Sequence, residues 1–231
     1  MGYTDKEFCL EVWGDYACFT RPELKVERVS YDVITPSAAR AIFDAIFFHR
    51  YAMRWEVTKI EVLNPVRWFS IRRNEVGAVG SVEKKQIYIE DARQQRNTLM
   101  LRDVRYRIHA KLIFIPWKDR PKEAKVKEKH SHQRGDDNPA KYYDIFTRKA
   151  QSGQCFTQPY FGVRECAAYF KLVDNDVQQP APIDESKDLG IMFYDWDYKP
   201  DGKNADQMFF RANMIKGVIT VPSKDSKEIL R

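Results

Sequence analysis

Cysteine is scarce: four in 231 residues (Cys9, Cys18, Cys155 and Cys166), no two at CxxC spacing, which offers neither a disulfide framework nor a thiolate zinc motif. Reduced thiols are expected, and with them a cytoplasmic location. Long apolar runs are missing too, and nothing approaches the roughly 18 consecutive residues that a bilayer crossing needs. The opening MGYTDKEFCLEVWGDY has no basic leader and no small-residue cleavage site, so it does not read as a secretion signal. No internal repeat and no low-complexity tract is present. His130 and His132 lie close together, but no further ligand follows at a workable spacing, so neither a metal nor another cofactor is expected. A G-F-G-F-type run on a central strand is also lacking, which counts against a free-standing RRM-like RNA binder.

What is present is a core and a cationic bias. At 43% hydrophobic and 31% charged residues, the chain can form one sizeable domain, or a domain with a smaller appendage. The net charge of +6 says little alone, but its distribution says more. Arg67, Arg72 and Arg73, then Arg93, Arg96, Arg102, Arg105 and Arg107, are interleaved with Trp68, Phe69, Tyr88 and Tyr106. Guanidinium forks suit phosphates and flat rings suit unpaired bases. An ordinary solvated face is the competing reading at this point.

Periodicity orders the elements. Residues 6–13 alternate as a strand that Gly14-Asp15 is expected to end. A polar loop with Arg21, Lys25 and Arg28 follows. Thr35-Pro36 reads as an N-cap and first helical position for an amphipathic helix over 36–48. Residues 55–63 return to strand. The segment 66–98 is expected to be a projecting hairpin of VRWFSIRR and KKQIYIED around Gly77 and Gly80. In 103–115, Val104, Tyr106, Ile108, Ala110, Leu112 and Phe114 share one parity, while Arg105, Arg107, His109 and Lys111 share the other. That predicts one core face and one cationic face. The charged run 118–135 is expected to be a surface loop or a disordered segment. Asn138-Pro139 opens a second helix that Gly153 closes, 166–173 is a strand, and 189–196, 207–214 and 217–221 are short strands. The β-α-β, hairpin, β-α-β order predicts an α+β fold: a ferredoxin-like (RRM-like) core over 1–173, with the arginine-rich β-hairpin inserted at about 66–98, and a C-terminal β-sheet extension over 174–231.

Several ordered blocks carry a resemblance across nearly the whole chain. WGDYACFTRPELKVERVSYDV (13–33), TPSAARAIFDAI (35–46), SIRRNEVG (70–77) and RQQRNTLMLRDVRYRIHA (93–110) resemble the Cas-five family of CRISPR-associated proteins, as do DDNPAKYYDIFTRKAQSGQCFTQPYFGVRE (136–165) and DLGIMFYDWDY (188–198). The fitting subtype is I-C, the Cas-five-d or -c branch. The resemblance implies a RAMP-superfamily protein that cleaves CRISPR repeat RNA at the base of its stem-loop without metal. It also implies that the protein stays on the 5′ handle within the surveillance complex (Cascade), beside the backbone and large subunits, and meets target DNA through that assembly. A catalytically silent handle-binding subunit is the alternative.

In that family a tyrosine or histidine ends the first helix, and a Lys-His pair opens the second. Here these positions read Phe47 and Lys141-Tyr142, so a proton-transfer group is missing from each. If the two helices run antiparallel, His49 falls beside Lys141 and Tyr142. The expected catalytic set is therefore His49 as base or acid, Lys141 for phosphate charge and Tyr142 as a hydrogen-bond donor. For RNA binding the expected set is Arg21, Lys25, Arg28, Arg72, Arg73, Arg105 and Arg107, with Tyr16, Phe19 and Trp68 as base platforms and Arg164 as a weaker candidate. Hairpin, strand and helix end are expected to converge on one cationic groove.

Overall fold

A computed structural model describes residues 5–81, 86–127, 129, 137–173, 179–198 and 204–231. The strands are β1 (Lys6–Ala17), β2 (Arg28–Val29), β3 (Met53–Val62), β4 (Trp68–Val76), β5 (Arg93–Phe114), β6 (Tyr169–Leu172), β7 (Lys187–Tyr198), β8 (Ala205–Ile215) and β9 (Val218–Thr220). The helices are α1 (Pro36–Ile46), the short α2 (Ile89–Ala92) and α3 (Lys122–Lys127), and α4 (Pro139–Gln151). Together they make a mixed α/β chain with few helices and one curled sheet, ordered β6-β1-β5-β3-β9-β8-β7, with β2 and β4 branching from β5. Every pairing is antiparallel except β2 with β5. No helix among the described residues is long and apolar enough to cross a membrane.

Alternation puts Tyr106, Ile108, Ala110 and Leu112 of β5 into one core with Ile42, Phe43 and Ile46 of α1 and Phe146 and Ala150 of α4. Phe146 is its centre: its ring lies 4.8 Å from Phe8, 5.7 Å from Phe43 and 4.6 Å from Trp55. Each such fully buried side chain contributes about 1.5–3 kcal/mol of transfer free energy, which is what holds both helices on one face. The caps form as expected. Thr35 accepts from the Ala38 amide and Asn138 from the Lys141 amide, each followed by proline at the first helical position. Gly153, just past Ser152 at the end of α4, takes φ +65°.

Three expectations change. Gly14-Asp15 does not end β1, which continues to Ala17. Gly14 serves close approach instead: a Cβ there would lie 2.7 Å from the Ala167 carbonyl oxygen. The hairpin strand opposite β4 is not KKQIYIED but the first half of β5, Arg73 pairing with Arg96 and Val76 with Arg93. A projecting two-stranded arm buries little, so RQQRNTLML carries no strong alternation to read. Residues 82–85 lie outside the described residues. Finally, the segment after β5 is partly helical, with a 3-10 turn at Trp117–Asp119 and then α3. His130 and His132 lie outside the described residues.

The face of β5 expected to be cationic is neutralised by β1 and β3. Arg105 donates to Glu11 Oε1 from Nε and Nη2 at 2.9 and 2.6 Å. Arg107 is 6% exposed, gives Glu61 Oε2 bonds of 2.6 and 2.5 Å, and donates to the Pro180 carbonyl. It is a structural ion-pair partner and not an open RNA contact, because a guanidinium this buried needs its carboxylate. Lys59 and His109 meet the other Glu61 oxygen at 2.7 and 3.1 Å. Burial pushes the Glu61 carboxyl up, but hydrogen bonds from His109, Lys59 and Arg107 outweigh it and hold the group at about 2, below its ordinary 4.5. A depressed carboxylate stabilises the fold above pH 4.5, and that stability is lost as pH falls toward 2. Glu61→Gln should therefore cost on the order of 2 kcal/mol at pH 7. In urea unfolding series, its deficit against the unmodified chain should shrink between about pH 4.5 and 2.

Candidate functional site

The end of α1 and the start of α4 meet at one corner. Phe47 caps α1 with its amide on the Phe43 carbonyl, and its own carbonyl accepts from Trp55 Nε1 at 3.0 Å. The chain then turns so that the His49 ring meets the Tyr142 ring edge-on, centroids 5.5 Å apart. Phe47 and Phe114 flank the same tyrosine at 6.2 and 5.7 Å. Lys141 projects into solvent from the first turn of α4, bordering an open cleft with Asp144 and Arg148.

Tyr142, expected as a hydrogen-bond donor, donates inward. It is 6% exposed, and its hydroxyl donates to Asp137 Oδ1 at 3.2 Å. The same oxygen accepts from Arg120 Nη2 at 2.7 Å, both side chains of that ion pair being almost wholly buried. Arg120 also donates from Nε to the Ile115 carbonyl and lies over the Phe114 and Trp117 rings. The chain from Arg120 through Asp137 and Tyr142 thus fixes the surface on which His49 rests. Of the three residues expected to be catalytic, Tyr142 is buried beneath the His49 ring, and Lys141 is exposed on the same first turn of α4.

The arginine-rich arm lies elsewhere. Arg72 pairs in register with Asn97 near the start of β5, whereas the helix corner adjoins Phe114 at its end. At about 3.3 Å per residue, the strand path between them is on the order of 50 Å. Arg105 lies between, held on Glu11. The expected single groove from arm to helix end is therefore replaced by separate sites along one strand.

Around the arm, Arg28, Arg73 and Arg96 all converge on Glu75, at 3.0, 3.4 and 3.9 Å, and Arg73 also pairs with Glu165. Arg21 bonds Asp32 at 3.3 Å and stacks on the Tyr31 ring. Lys25, Arg72 and Arg164 remain exposed, Arg72 with one 3.3 Å bond to Asn97 Oδ1. Tyr16 and Trp68 are exposed, and the Tyr16 ring lies 5.4 Å from Phe69. Phe19 is a correction: at 3% exposure it packs edge-on against Tyr106 and Phe161, so it is core and not a base platform.

The sequence profile of a family described as CRISPR-associated protein (Cas_Cas5), the Cas5d branch, matches residues 8–222. The chain belongs to the Cas5d family. A Mannheimia succiniciproducens protein named CRISPR pre-crRNA endoribonuclease Cas5d is 42% identical over 240 residues, spanning 96% of this chain and 97% of that one. A Thermus thermophilus protein of the same name is 37% identical over 238 residues, spanning 96% and 94%. A crystal structure titled CRISPR-associated protein superposes with a TM-score of 0.68 at 23% identity over the full length of both chains, a likeness of fold.

Within this Cas5d-family chain, sequence reasoning passed over Asp137, Arg120 and Glu75. The acidic pair before Asn138-Pro139 was the available signal for Asp137, since a carboxylate just ahead of a helix start commonly holds a nearby donor. Nothing local marks Arg120, whose partner is set by the path of the chain. Removing Asp137 strands a buried guanidinium, so Asp137→Ala should cost on the order of 3–5 kcal/mol. Asp137→Asn should cost less. Urea denaturation followed by circular dichroism measures both.

Proposed function

We propose that the chain is a metal-independent endoribonuclease that cuts CRISPR repeat RNA at the base of its stem-loop and keeps the 5′ handle. In this reading it acts in the cytoplasm as a subunit of a type I-C surveillance complex in antiviral defence. Its partners there are the CRISPR RNA, the backbone and large subunits and, through the assembly, target DNA. Membership of the Cas5d family and the names of the two relatives support the reading. The observation that carries it is the corner where His49 rests on Tyr142, whose chain neighbour Lys141 is exposed on the same first turn of α4.

The chemistry follows from that placement. His49 takes the proton of the substrate 2′-hydroxyl, whose oxygen attacks the adjacent phosphorus. Lys141 offsets the charge that builds on the phosphoryl oxygens. The P–O5′ bond breaks and the leaving oxygen takes a proton from water, which the protonated His49 restores. That leaves a 2′,3′-cyclic phosphate, a 5′-hydroxyl and His49 ready for another turn. Phe47 takes no part in proton transfer, which leaves that work to His49. Lys25, Arg28, Arg72 and Arg73, with Tyr16 and Trp68, grip RNA along the arm; Arg28 and Arg73 do so while held in place by Glu75. Arg21 and Arg105 have partners on the protein and contribute their remaining N–H groups.

We read the β6-β1-β5-β3 order, with α1 and α4 as the two crossovers, as a ferredoxin-like core over 1–173. The arm is its insertion and 174–231 its β-rich extension; the antiparallel register supports this.

Incubated with a matching repeat hairpin in EDTA, the purified chain should make one cut. His49→Ala and Lys141→Ala should each slow it roughly 10²–10⁴-fold while the hairpin still binds. A hairpin that is bound but never cut would overturn the enzyme reading and leave a handle-binding assembly subunit.

A further inference from the structure

The sheet face away from α1 and α4 carries a group of side chains that the catalytic corner does not use. Trp13 of β1 and Tyr169 of β6 are register partners, their rings stacked at 6.2 Å and 27°. Both stand in solvent, 36% and 55% exposed. Arg105 lies across from Trp13 on β5, and the next row on this face pairs Glu11 with Lys171. Glu11, Trp13, Arg105 and Lys171 line a cleft of about 370 Å³, with Tyr169 beside it.

Glu11 gives the cleft its chemistry. The residue is 1% exposed, and its Oε1 holds Arg105 and, at 3.3 Å, Lys171. Its Oε2 has no hydrogen-bond partner among the described residues. A buried carboxylate oxygen without a donor is unfavourable, so the cleft suits a ligand that brings an N–H. Arg105 and Lys171 keep further N–H groups for a phosphate. Flat rings, an acceptor at the cleft floor and two cations at its rim match the three parts of a nucleotide: base face, base edge and phosphate.

We infer that this face is a second binding site for single-stranded RNA, taking an unpaired nucleotide whose base bears an exocyclic amino group: cytosine, adenine or guanine, as against uracil. The base stacks on Trp13 or Tyr169, its amino group donates to the Glu11 carboxylate as that group turns into the cleft, and its phosphate meets Arg105 or Lys171. Uracil fits less well, because its N3–H lies between two carbonyl oxygens that the carboxylate repels. The inference rests on the reading that this chain handles RNA, but not on His49 or Lys141.

The test measures binding of labelled oligo(C), oligo(A) and oligo(U) ribonucleotides to the full chain carrying Arg72→Ala, which lowers the arm's share of binding, and every further variant is compared with this background. Oligo(C) and oligo(A) should bind more tightly than oligo(U). Trp13→Ala and Tyr169→Ala should each weaken oligo(C) binding at least about fivefold, the loss of one base stack. Trp13→Phe should retain most of the affinity, and Glu11→Gln should narrow the difference between oligo(C) and oligo(U). Lys171→Ala should flatten the salt dependence by somewhat less than one ion. With Arg72 intact, Trp13→Ala at saturating protein should still cut the repeat hairpin, which separates this site from failure of the catalytic corner. Should Trp13→Ala unfold, Tyr169→Ala on the edge strand β6 carries the test. Unchanged oligo(C) affinity in Tyr169→Ala and in a folded Trp13→Ala, or equal binding of oligo(C) and oligo(U), overturns the inference.

Discussion

The ladder along β5 is the constraint on which everything else depends. One strand from Arg93 to Phe114 pairs with β4 and β2 in its first half and with β1 and β3 in its second. Its apolar parity sets the core against both helices, and its polar parity sets the buried ion pairs on the other face. Asp103, at φ 57°, marks the change between the halves. Its backbone carbonyl accepts from Asn64 and its carboxylate from Arg67, which ties the root of the arm to the end of β3. A strand this long carries the arm at one end and the helix corner at the other, so the two cannot share a groove.

Charge in this protein is mostly spent on itself. Glu11, Glu61 and Glu75 each gather two or more cations, so several arginines that read as ligand contacts have carboxylate partners on the protein, and the buried Arg107 is structural. Desolvating an arginine without a carboxylate is prohibitive, and each buried guanidinium of β5 is matched for that reason. Cations without such a partner carry more information about RNA than the total of +6. The same logic draws attention to Glu11, whose second oxygen, like Arg73 Nε, is an exception to this matching among the described residues.

The corner at His49 shows how an exposed surface can be shaped by residues buried beneath it. Arg120 and Asp137 are buried, and their pairing fixes the hydroxyl of Tyr142, whose ring in turn supports His49. Holding an imidazole against a locked aromatic ring limits its rotamers.

Local sequence determined what depends on neighbours in the chain. The Thr35 and Asn138 caps, the proline starts, the Gly153 stop and the parity of 103–115 follow from backbone and side-chain chemistry within a few residues. The placement of His49 near Tyr142 also followed, because antiparallel helices bring those ends together. Tertiary structure alone decided the rest. Whether Arg107 meets water or Glu61, whether Phe19 is platform or core, and whether Gly14 ends a strand or admits Ala167 depend on partners distant in the chain. Periodicity records which way a side chain points, and it is silent on what waits there.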